Sequence, residues 1–177
     1  MQYPIIEGLN GVLWVFVFLV NGMNVMGVVY CLMTSALLVL SVIDWRTFEI
    51  PFGINVFLGI LGIVAVVLDK GEWLNHVIGA VCVSGFLLLL YLLSKGRAIG
   101  GGDIKLMAAC GLLLGWQKSI LAFLLGCILG SVIHLFRMKI SKEGHVLAMG
   151  PYLAAGIFLA ALFGGQWIHW YLDVLGI

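Results

Sequence analysis

The run Val25-Met26-Gly27-Val28-Val29-Tyr30-Cys31-Leu32-Met33-Thr34-Ser35-Ala36-Leu37-Leu38-Val39-Leu40-Ser41-Val42-Ile43 carries no charge anywhere and ends on an acid, Asp44. A bilayer's hydrocarbon core needs roughly 20 apolar residues wound as a helix, so this run is long enough to cross one. Similar runs lie outward on both sides, at about Ile5–Val20, Ile54–Leu68, Leu74–Ser94, Ala98–Trp116, Ile120–Phe136 and Leu147–Phe163. The first, third and last are short or interrupted. The breaks between runs carry charge, Gly or Asn, as water-facing turns should. The expected fold is all-α: a polytopic membrane helix bundle with six or seven transmembrane spans.

Composition agrees. Of 177 residues, 63% are hydrophobic and only 10% charged, where soluble domains carry about 25%. Such a chain cannot clothe a water-facing surface. With nine Lys+Arg against eight Asp+Glu and a net charge of +1, it also lacks the basic field of a nucleic-acid binder. The lipid bilayer is its expected partner, nucleic acid is not, and oligomeric state is left open. The length suits a single integral membrane domain over residues 1–177. Met1 to Gly8 has no basic stretch of the kind that opens a cleaved signal peptide, so the first run is expected to stay. Gly111-Leu112-Leu113-Leu114-Gly115 and Gly126-Cys127-Ile128-Leu129-Gly130 fit G-x-x-x-G, read here as helix packing within one chain. The aromatic tail Gln166 to Tyr171 reads as an interfacial anchor.

Few residues are left that can do chemistry. Cys31, Cys82, Cys110 and Cys127 sit in apolar runs with no C-x-x-C pair, and the four histidines form no H-E-x-x-H. No metal site and no cofactor is expected. Among the acids, Glu7, Asp69, Glu72, Glu143 and Asp173 read as solvated charges. Glu49, in the Asp44–Pro51 loop, could touch a basic ligand, although solvation is the simpler account. Asp44 closes one run at the membrane boundary and Asp103 lies about two turns inside another. Ionisable residues at such depth cost several kcal/mol unless paired or hydrated, which makes function their default reading. Alternating spans bring both to one side. Two carboxylates held close at a poorly hydrated boundary share a proton, and such a pair can activate water while its protonated member polarises a carbonyl. Salt bridges to Arg46 or Lys105 would account for the same acids, and topology alone does not choose. Gly100-Gly101-Gly102 directly before Asp103 adds weight. Each Gly costs about 1 kcal/mol in a helix interior, and what it offers in return is close backbone approach, as a bound peptide would need. Lys105 either snorkels to headgroups or tunes the pair.

Three blocks in order resemble the type IV prepilin peptidases, the bacterial branch of the GxGD intramembrane aspartyl proteases. They are Ile43-Asp44-Trp45-Arg46-Thr47-Phe48-Glu49-Ile50-Pro51, Gly100-Gly101-Gly102-Asp103-Ile104-Lys105-Leu106, and Met149-Gly150-Pro151-Tyr152-Leu153-Ala154-Ala155-Gly156. The resemblance covers about residues 35–156. It implies an aspartic endopeptidase with Asp44 and Asp103 catalytic and Gly100, Gly102, Lys105 and Pro51 supporting the motifs. It also implies prepilin or pseudopilin substrates, cut after a short, often basic leader at the cytoplasmic face of a bacterial inner membrane. The larger bifunctional members carry a cytoplasmic domain, often with C-x-x-C pairs, and N-methylate the new terminus. Lacking that pair, this sequence is similar to the small peptidase-only members of Flp/Tad pilus systems, with methyl transfer not expected. A small proton- or cation-coupled transporter using the same aspartates is the competing reading.

Orientation follows from charge. One set of loops holds Arg46, Lys95, Arg97, Arg137, Lys139 and Lys142, with Lys105 just inside a span on the same side. The other set holds only Lys70 and Lys118. Positive residues stay inside, so the richer side is expected to be cytoplasmic. A cysteine placed at Ser141 should resist an impermeant thiol reagent in intact cells and react after lysis; labelling of intact cells would invert this topology.

Overall fold

The computed structural model describes residues 3–96, 99–140 and 148–176. Arg97, Lys142 and the probe position Ser141 lie outside the described residues. Seven α-helices are seen among them: α1 (Tyr3–Asn21), α2 (Val25–Thr47), α3 (Phe52–Leu68), α4 (Trp73–Leu93), α5 (Gly101–Leu114), α6 (Trp116–Ile140) and α7 (Gly150–Leu175). A 3-10 turn, Lys70–Glu72, joins α3 to α4. The chain is a polytopic all-α membrane bundle. Each apolar run has become one helix. Five helices, α1, α2, α4, α6 and α7, are long and apolar enough to cross a membrane, and α3 is a shorter apolar helix. The 14 residues of α5 rise only about 21 Å, short of a hydrocarbon core of roughly 30 Å.

Local chemistry sets the ends. Asn24 caps α2, its side chain accepting from the Gly27 N–H at 2.7 Å, which satisfies one of the orphan donors of a helix start. Gly115, at φ +82°, breaks the long run that read as continuous to Trp116. There the Trp116 N–H turns to Asn75, donating to its Oδ1 at 3.0 Å, and α6 begins. Two boundaries differ from the sequence reading. Helix α5 starts at Gly101, not Ala98, so Asp103 occupies its first turn and does not lie two turns deep. The three glycines therefore open the helix; they do not interrupt one. The last helix outruns its apolar stretch, because α7 continues through the aromatic tail to Leu175.

Helix α5 packs between α3 and α4, and α7 between α2 and α6. Met33, Leu40, Leu58, Leu106, Met107, Leu153 and Ile157 are fully enclosed between them. Lipid tails are as apolar as leucine, so close packing must hold these helices together where hydrophobic burial cannot. The glycines supply it. A Cβ on Gly79 would collide with the backbone of Gly111, and the reverse holds. A Cβ on Gly156 would lie 2.7 Å from the Gly126 nitrogen, and one on Gly126 2.9 Å from the Leu153 side chain. These crossings are α4 on α5 and α6 on α7, which makes the G-x-x-x-G glycines contacts within the chain. Helix α1 lies outermost, held by Trp14 Nε1 donating to Ser35 Oγ and that hydroxyl donating to Asn10 Oδ1, both at 2.9 Å.

Gly111→Val should destabilise the protein by about 1–3 kcal/mol through overpacking against Gly79. Gly59→Ala, which adds its methyl to open space, should not. Thermal unfolding midpoints of the two variants in detergent check this, and an unshifted midpoint for Gly111→Val would contradict the packing account.

Candidate active site

Asp44 stands near the end of α2 and is 5% exposed. Its partner is a backbone group, the Gly150 N–H, which donates to Oδ2 at 2.9 Å. Gly150 is the first residue of α7 and Pro151 follows it, so the orphan N–H groups and positive dipole end of a long helix face this carboxylate. A hydrogen bond of this kind to an ionised group contributes about 1.5–3 kcal/mol. The approach needs glycine, since a Cβ at position 150 would sit 2.6 Å from Oδ2 and 2.8 Å from Cγ of Asp44. Sequence reading noted the Gly150-Pro151 pair without giving it a role. Its signal was present, a Gly-Pro helix start in a chain with only three prolines, but nothing local tells which carboxylate it meets.

Asp103 arrives from α5. As the third residue of that helix it turns back on the start, accepting from the Gly100 N–H, while its own N–H donates to the Gly100 carbonyl at 3.2 Å. The first contact is the half of a capping box that the third helical residue supplies; Gly100 has no side chain to supply the other half. The three glycines before it have separate jobs. A Cβ at Gly100 would lie 3.2 Å from Asp103 Oδ2, one at Gly101 would meet nothing within 4 Å, and one at Gly102 would lie 2.9 Å from the Cβ of Ile50. Gly102 thus lets the Asp44–Pro51 loop press onto the start of α5.

That loop forms the third wall. Phe48 caps α2 in the left-handed region at φ 55°, its N–H donating to the Asp44 carbonyl at 2.9 Å. A non-glycine residue there costs roughly 1–2 kcal/mol. Pro51, at φ −60°, caps the start of α3 and directs the chain away. Asp44, Phe48, Glu49, Gly101, Asp103 and Met149 all line one cleft of about 420 Å³. The structure therefore brings Asp44, Asp103, Gly100 and Gly102 together, with Pro51 bounding the loop. Lys105 takes no part in the cleft: its Nζ lies 5.3 Å from the centre of the Phe52 ring. It forms no ion pair with Asp103 among the described residues, which removes one of the two salt-bridge explanations. Arg46 lines a different cavity, with Ile5, Ile6, Trp45 and Pro151. Among the described residues no group of three His, Cys, Asp or Glu is placed to hold a metal ion.

A family model described as the type IV leader peptidase family matches residues 31–135, the stretch that carries both acids. The chain belongs to that family. Relatives named prepilin leader peptidase/N-methyltransferase agree. The one from Pectobacterium carotovorum subsp. carotovorum is 34% identical over 93% of this chain and 62% of its own length. That from Pseudomonas putida is 33% identical over 99% and 64%, and that from Aeromonas salmonicida 31% over 98% and 62%. The chain thus spans a little over three fifths of these relatives. No solved structure matches it. Its apolar helices and these bacterial relatives make this family member a multi-pass protein of the bacterial inner membrane.

Side chains restored to the cleft's glycines should separate by position. If this cleft cuts leader peptides, Gly150→Ala and Gly102→Val should each lower that cleavage per inserted molecule by about tenfold or more, as displacing a positioned group does, while Gly101→Ala stays within about twofold because its methyl meets open space. Cleavage normalised to membrane-inserted protein measures this, and full activity in Gly150→Ala would show that the Asp44 contact is dispensable.

Proposed function

We propose that this chain is an aspartic endopeptidase that removes the leader from type IV prepilins or pseudopilins, with Asp44 and Asp103 as its catalytic pair. The observation that carries the reading is the shared cleft. Two acids from different helices face one space of about 420 Å³ whose remaining walls are glycine backbone, a fixed loop and the α7 start. Membership of the leader peptidase family supports the peptidase over a transporter using the same acids.

The chemistry follows from the pair. One carboxylate takes a proton from a water, which attacks the scissile carbonyl. The other, protonated, donates to that carbonyl oxygen as it becomes an oxyanion. Collapse passes a proton to the departing amine and breaks the C–N bond, leaving the pair with its single shared proton. Hydrolysis needs an extended substrate, because a helical peptide keeps its carbonyls inside its own hydrogen bonds.

The side of action follows from charge. Arg46, Lys95 and Lys105 share the cleft's end of the bundle, and Lys70 and Lys118 belong to the other, so the positive-inside rule supports a cytoplasmic site. The relatives' name also includes N-methyltransferase; the reading proposed for these 177 residues is leader cleavage alone. Incubation with a prepilin and S-adenosylmethionine, scored by mass, separates the two, since a methylated product would extend the activity.

Purified protein and a candidate prepilin, followed by mass spectrometry, test the central claim. Asp44→Asn and Asp103→Asn should each cost about 10²-fold or more, the scale of a lost general acid or base, while the protein still inserts. EDTA should leave cleavage unchanged. Turnover retained in either variant would overturn the pair.

A further inference from the structure

Glu49 is the third carboxylate in the cleft and the proposed chemistry does not use it. A helix could not bring it there beside its neighbours, because successive residues of a helix point about 100° apart. The left-handed turn at Phe48 does, so that Phe48, Glu49 and Ile50 line the same space. The turn is pinned on both sides. The Phe48 N–H bonds to the Asp44 carbonyl, the Glu49 N–H donates to Thr47 Oγ1 at 3.3 Å, and Ile50 abuts Gly102. Within this fixed turn the Glu49 carboxylate is exposed and has no hydrogen bond or ion pair among the described residues. No lysine or arginine is among the described residues that line the cleft, since Lys105 lies over Phe52 and Arg46 lines another cavity.

Among the described residues of the lining, a peptide entering this space meets acid and no base. We propose that Glu49 is a specificity residue, receiving a lysine or arginine that the substrate carries close to the scissile bond. This rests on the peptidase reading. The turn that carries Glu49 is fixed through its backbone, and among the described residues its carboxylate has no partner to give up when a cation arrives. A neutral or acidic side chain in the same position would leave Glu49 unanswered beside Asp44 and Asp103. Discrimination on this account appears in binding and leaves the hydrolytic step alone, since Glu49 touches no reacting atom.

The test uses the full chain, a prepilin with one lysine near the cleavage point, and that prepilin with the lysine changed to Gln or to Glu. The unaltered protein should show a KM about fivefold higher for the Gln substrate, the range expected of a partly exposed ion pair, with kcat within about twofold. Salt at about 0.5 M should shrink that difference. Glu49→Gln should lose the preference, and Glu49→Lys should favour the Glu substrate. Equal KM values for the three substrates with the unaltered protein would overturn the inference, as would a preference that survives in Glu49→Gln. A loss in Glu49→Gln that falls equally on all three would also overturn it, by marking the residue as structural. If the unaltered protein cleaves none of the three, the peptidase reading fails and this inference fails with it, a result distinct from equal cleavage.

Discussion

A buried carboxylate near the end of an apolar helix has to find a donor, and Asp44 finds one in the backbone of α7. The 2.9 Å bond from the Gly150 N–H ties the end of α2 to the start of a helix more than a hundred residues later in the chain. Leaving such a group unsatisfied would cost several kcal/mol, far more than the net value of the bond once made. The constraint is therefore one-sided. Residue 150 cannot carry a side chain, α7 must begin there, and Pro151 can follow because the first residues of a helix have no partner for their N–H groups. The cleft's geometry rests on that junction.

The same economy of side chains recurs through the bundle. In a membrane, helices gain little by hiding apolar surface from one another, so the positions that decide how they cross are those where nothing projects. Gly79 against Gly111, and Gly156 against Gly126, set the α4–α5 and α6–α7 pairs. Those pairs in turn fix where α5 and α7 start, and both starts are walls of the cleft. Gly102 continues the pattern at the site itself, where it admits Ile50. Glycines that read together as a motif thus divide into helix-crossing and cleft-forming sets by what each one faces.

The two ends of the bundle differ in kind. At the cleft end, acids from separate helices meet with no described cation among them. At the far end, polar groups answer one another: His76, buried in α4, has Nδ1 2.9 Å from the Leu112 carbonyl and Nε2 3.7 Å from Asp69. Asn75 meanwhile donates to Glu72 and accepts from the Trp116 N–H. Those contacts secure the α3–α4 turn and the short α5 to each other. A polar cluster whose members bond to one another holds a fold together. One that leaves its carboxylates facing open space is available to a ligand.

Much of this was legible along the chain. Charge-free runs of near-membrane length announce helices because lipid offers no other partner for backbone groups, and all seven runs became helices. Asp44 and Asp103 stood out because acids are costly at that depth. What the sequence could not state was register and facing. It placed the start of α5 early, at Ala98, because hydropathy does not register that Gly100-Gly101-Gly102 opens a helix whose third residue is Asp103. It held Lys105 undecided between headgroups and the acid pair; in the structure its Nζ lies over the Phe52 ring, away from the cleft lining. It read the three glycines together as room for a bound peptide and could not tell that Gly102, while lining the cleft, also admits Ile50. Local pattern determined which residues could be helical, which were too polar to be idle, and which end carried more positive charge. Tertiary structure alone decided that the Gly150 N–H would reach Asp44, because a contact across 106 positions in the chain depends on how every intervening helix crosses its neighbours.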